Sequence, residues 1–190
     1  MDVPLGVLPP DAVRLVTSGL IERHRCQWGA SPARFLNRRY RRPAIMLHAL
    51  PPRRREQALA PKLVVSGLGL RPRAFLDRGI TQASVATTII TSGGWPLGAL
   101  CAVLNSSLAA RLYRALFGGL ALGSGYLRFG KRELALLPLP DVPADDPRLA
   151  RLDALVAAMP GANPIARADL DARIDALVLA LYGLDQEALG

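Results

Sequence analysis

The chain is poor in the residue types that most often settle a protein's chemistry. Its 190 residues include two cysteines, Cys26 and Cys101, and two histidines, His24 and His48. The cysteines lie far apart and follow no ligand spacing. They read as two reduced, packed thiols, which excludes a disulfide framework and a cysteine-built zinc site. His24 and Cys26 are close in sequence, but no second pair completes a metal site. There is no Ser–His–acid elbow and no pair of carboxylates in an apolar setting. Gly67-Leu68-Gly69 holds half of a dinucleotide-binding glycine pattern, without its third glycine and following helix. Gly118-Gly119 with Gly123 and Gly125 follows a helical pattern, whereas cofactor-binding glycine loops follow a strand. The sequence therefore offers no catalytic constellation of its own.

Long hydrophobic runs are also missing. Residues 79–110 carry no charge, but threonine, serine, glycine, proline and asparagine interrupt them. A spanning helix needs about 20 predominantly apolar residues, so the expectation is no membrane partner. The start, MDVPLGVLPPDAV, lacks a basic lead and a long apolar core, and the expected location is cytoplasmic. Hydrophobic residues make up 51% of the chain, enough for a packed core without metal or disulfide support.

Charge is present in excess of one sign. The net charge is +9, and of the 24 basic residues only Lys62 and Lys131 are lysines. Residues 1–80 carry a balance of +10, residues 81–140 one of +4, and residues 141–190 one of −5. A basic body with an acidic tail points to a polyanionic partner for the body. Arginine suits that role because its planar fork bonds phosphate and guanine edges in pairs. The densest run is Arg34, Arg38, Arg39, Arg41 and Arg42, then Arg53, Arg54 and Arg55, with Tyr40 inside it.

Periodicity organises the rest. Leu97, Leu100, Leu104, Leu108, Leu112 and Leu116 place one apolar stripe on a helix that opens after Pro96 and ends at Gly118-Gly119. A small-residue loop follows, then Tyr126, Arg128, Phe129, Lys131 and Arg132, then an extended exit from Leu134 to Pro140. Upstream, Asp11 caps a short helix through Leu15 and Val16. Strands are expected at 44–50, within 61–67 starting after Pro61, and at 83–90, where Val85, Thr87, Thr88, Ile89 and Ile90 are β-branched. Gly67–Gly69, Asp77–Gly79 and Ser92–Gly94 read as turns. DVPADDP at 141–147 reads as a linker. Two amphipathic helices follow, the second over 168–181 and ended by Gly183 as a left-handed cap. The fold class is α+β: a small mixed sheet, packed helices and a C-terminal helical hairpin, with a body at 1–140 and a helical extension at 141–190.

Several of these segments together resemble a family. The run Cys101-Ala102-Val103-Leu104-Asn105-Ser106-Ser107-Leu108, the Gly-Ser-Gly-Tyr-Leu-Arg-Phe loop at 123–129, and Leu136-Leu137-Pro138-Leu139-Pro140 look like the TaqI-like C-terminal specificity domain. That domain reads the target in type II restriction-linked N6-adenine DNA methyltransferases. Pro61-Lys62-Leu63-Val64-Val65 is similar to the strand that opens its second half, and residues 174–184 to its terminal helix. The resemblance spans roughly residues 35–187. It implies a module that clamps double-stranded DNA against a methyltransferase catalytic subunit, with S-adenosylmethionine held by that subunit. The cofactor-binding sheet and Asn-Pro-Pro-Tyr loop of the family are not in this chain. Asn163-Pro164-Ile165-Ala166 lacks the second proline and the aromatic that would stack a flipped base. On this resemblance the residues that contact DNA are Arg38, Arg39, Lys62, Arg71, Arg73, Ser124, Tyr126, Arg128 and Lys131. Phe129 divides evenly between that surface and the core, and Asn105-Ser106 reads as a helix-internal polar pair bonded to backbone. Two other readings stay open: the specificity subunit of a type I-like restriction system, and a protein-interaction remnant with no DNA role.

Overall fold

The computed structural model describes residues 1–4, 8–84, 86–91 and 94–185. Val85, Ser92 and Gly93, named above in a strand and a turn, lie outside the described residues. The fold is α+β. Strand β1 (Ala12–Val16) lies between β6 (Ala44–Met46), antiparallel, and β10 (Thr81–Ala83), parallel, in one three-stranded sheet. A second sheet has β7 (Lys62–Ser66) between β9 (Ala74–Asp77) and β11 (Thr87–Ile90), all antiparallel. Three two-stranded ribbons complete the strands: β2 (Ile21–Glu22) with β3 (Arg25–Cys26), β4 (Ala33–Phe35) with β5 (Arg38–Tyr40), and β8 (Leu68–Gly69) with β12 (Leu127–Arg128).

The helices are α1 (Pro52–Leu59), α2 (Leu97–Asn105), α3 (Ser107–Phe117), α4 (Lys131–Ala135), α5 (Pro147–Ala158) and α6 (Pro164–Leu181). Helix α2 is the centre of the main core, with every residue from Gly98 to Asn105 buried. It packs on β7 and β9 on one side and on α5 and α6 on the other. Residues on both sides of position 140 thus share one apolar cluster. Gly98 is required where α2 meets α5, because a Cβ there would overlap the Asp153 carboxylate. That carboxylate accepts the Gly98 N–H at 2.9 Å, serving an unpaired donor of the first helical turn. Gly183 ends α6 as expected, at φ +69, with the Gly183 N–H donating to the Ala180 carbonyl and the Leu184 N–H to that of Leu179.

Five sequence expectations are corrected. Residues 12–16 form β1, not a helix capped by Asp11: the apolar spacing suits both, and burial against β6 and β10 decides for the strand. Residues 47–49 leave β6 as a 3-10 turn. The strand expected over 83–90 is replaced by β10, which ends at Ala83, and β11, which begins at Thr87, in different sheets, with Ala86 at φ +60 before β11. Leu68-Gly69 is a strand that pairs with β12 instead of a turn. The exit from the basic loop begins as helix α4 and becomes extended only afterwards.

The single helix expected over 97–117 is also broken, at Ser106. Its side chain accepts the Ala109 N–H at 3.0 Å and caps α3. Asp175 of α6 accepts the Ser107 N–H at 2.8 Å and the Ser107 hydroxyl at 2.6 Å. On the other side, Arg23 and Arg71 donate to the Asn105 carbonyl at 3.0 and 2.8 Å. Cations therefore sit at the C-terminus of α2 and an anion at the N-terminus of α3, the arrangement the helix dipoles favour.

Candidate nucleic-acid interface

The basic residues fall into two groups, one built into the interior and one on an open surface. Lys62 belongs to the first. Its side chain is fully buried, its ammonium lies 2.5 Å from the Asp77 carboxylate, and it donates to the carbonyls of Ala58 and Ala60. The expected phosphate contact from Lys62 is corrected: no part of the amine reaches solvent. Arg71 is half-buried and spends its Nη2 on the carbonyls of Asn105 and Ser106. Arg73 pairs with Glu22 at 3.3 Å. Arg71 serves the packing at the end of α2, whereas Arg73 is partly exposed in its pair with Glu22. Spacing in the sequence gives no sign of these distant partners.

The second group is exposed. Ribbon β4–β5 closes with a two-residue turn in which Leu36 and Asn37 take φ +47 and +60. Both values belong to the type I′ hairpin turn, which matches the right-handed twist of paired strands. Asparagine tolerates that region, whereas leucine is held there at a cost of about 1–2 kcal/mol. The root of the ribbon is anchored by the pair of buried Ala33 and half-buried Tyr40, and half-buried Phe35 lies beside the turn. Arg38 and Arg39 are exposed on β5, and Arg39 faces Arg34 across the ribbon.

Beside the ribbon runs a trough. One part, of about 820 Å³, is lined by Phe35, Arg54, Gln57, Gln82, Thr87, Thr88 and Lys131 among others. A second part, of about 460 Å³, is lined by Thr17, Ser18, Arg34 and Leu36, and shares Phe35, Ser84 and Ala86 with the first. Arg34, Arg54 and Lys131 are all exposed at its edges. The floor is largely apolar, with Leu15, Ile45, Leu50 and Ile89, and carries the Gln57 carboxamide and the Thr87 and Thr88 hydroxyls; the guanidinium and ammonium groups at the rim suit a polyanion. The Thr88 hydroxyl donates to the Phe129 carbonyl at 2.9 Å, which ties the segment carrying Lys131 to β11.

Ser124, Tyr126 and Arg128 are exposed on the loop before β12 and on β12 itself. The loop is a tight turn, with the Gly125 N–H donating to the Leu122 carbonyl at 2.7 Å and Gly125 at φ +75. Phe129 is buried and lies 4.8 Å from Tyr113, whose hydroxyl donates to the Arg128 carbonyl at 2.6 Å. It belongs to the core. Of the nine expected contacts, Arg38, Arg39, Ser124, Tyr126, Arg128 and Lys131 are thus on the surface. The trough adds Arg34 and Arg54, which lie in the densest basic run, and Leu36, for which only the Asn37 that follows gave a turn signal.

A buried polar node brings together a thiol, an imidazole and an amide. Cys101 Sγ, His24 Nδ1 and Asn105 Nδ2 lie within 4.0 Å of one another. The Asn105 amide has two hydrogens, and the carbonyls of Ala74 and Cys101 take both at 2.9 Å. Its Oδ1 accepts the Ala74 N–H at 3.0 Å, so Asn105 serves β9 as a strand edge would. It bonds backbone, as expected, but from the end of α2 and not from inside a helix. Burial pushes the Cys101 thiol up to about 12 and lowers His24 from 6.5 to about 3, with Arg23 adding to the second shift. A nucleophilic pair needs the opposite shifts, so the node is packing and not catalysis. Among the described residues, no group of three or more His, Cys, Asp or Glu is placed to hold a metal.

His24 makes stability depend on pH. It stays neutral in the fold, while the unfolded chain takes up a proton below about 6.5. Stability is therefore lost as pH falls from 6.5 toward 3, by up to about 1.4 kcal/mol per pH unit. Asp171, held above its ordinary carboxylate range by burial, acts in the opposite sense near the bottom of that interval. His24 sits at φ +61, a conformation asparagine accepts. His24→Asn is expected to flatten the dependence between about pH 6.5 and 5, read from urea midpoints. An unchanged slope in the variant would remove His24 as its source.

The fold is one already seen in a larger enzyme. Over 92% of this chain it matches MmeI, a Type IIL restriction-modification enzyme solved in complex with DNA, with a TM-score of 0.54 and 13% sequence identity. This chain spans 28% of that enzyme's length, and at this identity the likeness is one of fold. No family model matches the sequence, and no curated protein matches it. Among the described residues, no helix is long and apolar enough to cross a membrane.

Proposed function

We propose that this chain is a target-recognition module of a restriction-modification system, binding double-stranded DNA and working with a separate methyltransferase subunit that carries S-adenosylmethionine. The observation that carries the reading is the trough rimmed by Arg34, Arg54 and Lys131, in a fold shared with part of a DNA-bound restriction-modification enzyme. Arginines at the rim fix the module on the phosphates, the Gln57 carboxamide offers a donor, and the hydroxyl oxygens of Thr87 and Thr88, whose hydrogens go to the carbonyls of Ser84 and Phe129, offer acceptors for base edges. Adenine as the modified base rests on the motif resemblance alone. Binding of the purified chain to mixed-sequence duplex should weaken by roughly 10³–10⁵-fold between about 50 and 200 mM salt if 6–10 phosphates are engaged. A chain that ignores DNA at low salt, alone and with candidate methyltransferases, would leave the interaction-remnant reading in its place. A second, distinct recognition site on the same duplex would favour the type I-like arrangement.

A further inference from the structure

The most unusual residue of the exposed surface is Leu36. It is 77% exposed at the tip of the β4–β5 ribbon, in a left-handed conformation that glycine or asparagine would adopt without strain. Backbone strain held in place at a surface marks a residue kept for what its side chain does. The ribbon around it is equally poorly suited to bare solvent. Arg34 and Arg39 face each other directly, and like charges opposed across a ribbon repel unless something neutralises them. Arg38 follows one residue after the turn. The tip is thus an aliphatic point with three arginines behind it, on a stalk whose root is buried at Ala33.

We propose that Leu36 is an intercalating wedge: the ribbon meets duplex DNA tip first, and the Leu36 side chain inserts between adjacent base pairs while Arg34, Arg38 and Arg39 hold the flanking phosphates. This rests on the DNA-binding reading above and adds to it a deformation of the DNA. Aliphatic wedges that part a base step unstack it and kink the duplex by about 20–90°. The kink draws more of the duplex along the trough, which the ribbon borders. Sequences with easily unstacked steps would then be favoured at a position where no base edge is read.

The test uses closed-circular plasmid relaxed by topoisomerase with the full chain bound, at a salt concentration where binding is near saturation. A wedge unwinds the duplex at each site, so removal of the protein leaves topoisomers shifted to lower linking number. Leu36→Asn is the informative variant, since asparagine accepts the turn conformation and keeps the ribbon and its arginines. It is expected to bind duplex with an unchanged salt slope and to produce no topoisomer shift. An equal shift from the variant and the parent overturns the proposal. A parent that binds DNA without any shift overturns the wedge and leaves the DNA-binding reading standing. A parent that does not bind DNA at all overturns both. Vesicles of phosphatidylglycerol and phosphatidylcholine form the control arm. Binding to them that is lost in Leu36→Asn, without a topoisomer shift in the parent, reassigns the tip to a lipid surface and overturns the proposal.

Discussion

Replacing Asp77 by alanine is expected to cost about 3–5 kcal/mol of folding free energy, the largest single effect in the molecule. Lys62 and Asp77 are both buried, and removing the carboxylate leaves an ammonium in the interior with only the carbonyls of Ala58 and Ala60 around it. Removing the amine instead, in Lys62→Ala, strands the carboxylate, whose remaining donors are the N–H groups of Gly79 and Ile80 at 3.3 and 3.4 Å. Both single variants should fall in the same range by urea unfolding. Lys62→Met combined with Asp77→Leu should recover part of the loss, because no charge is then left unpaired, although the N–H groups of Gly79 and Ile80 lose an acceptor. The pair ties α1, β7 and β9 together. If Asp77→Ala cost less than about 1 kcal/mol, the interior would have to admit water to the amine.

The second large effect concerns affinity. Arg34→Gln, Arg38→Gln and Arg39→Gln combined should lower the magnitude of the salt slope for duplex binding by about three, one per phosphate contact removed. At about 0.1 M salt that corresponds to a loss of roughly 10³-fold, about tenfold for each contact. The folded state should hardly change, since these side chains are exposed and Arg34 and Arg39 repel each other. Arg71→Gln is the contrast. Its guanidinium serves the carbonyls of Asn105 and Ser106, so its loss should lower the urea midpoint and leave the salt slope as it was. A salt slope that responded to Arg71 and not to the ribbon would move the interface to the other side of α2.

What the sequence shows directly is whatever depends on near neighbours. The α5–α6 pair, β7 after Pro61, and the cap at Gly183 all have local signatures; β7 and the cap are where the spacing puts them, while α6 opens at Pro164, ahead of the expected start at Ala168, because a first-turn proline lacks only an N–H that would be unpaired there. The break at Ser106 was hidden because the leucine stripe continues through it; Arg23, Arg71 and Asp175, which settle the break, come from three other parts of the chain. Strand β1 was hidden because Val13, Leu15 and Val16 fit a short helix as well as a strand. The same limit governs the interface. Composition marked the basic body as the surface to watch. It could not separate Lys62, whose counter-ion lies fifteen residues away, from Lys131, which has none nearby in the sequence except Glu133. Leu36 reads as an ordinary hydrophobic residue until the turn around it is known.

The parallel pairing of β1 with β10 has a consequence for how the chain is made. Arg14 sits opposite Thr81, so roughly 67 residues must leave the ribosome before β1 finds that neighbour. At about 5–20 residues per second this is a wait of several seconds. Pairing with β6 covers one edge of β1 sooner, while the other edge stays open to aggregation or to a chaperone until β10 arrives. The nascent N-terminal half therefore lives for a time as an incomplete sheet, and its rate of synthesis bears on its yield.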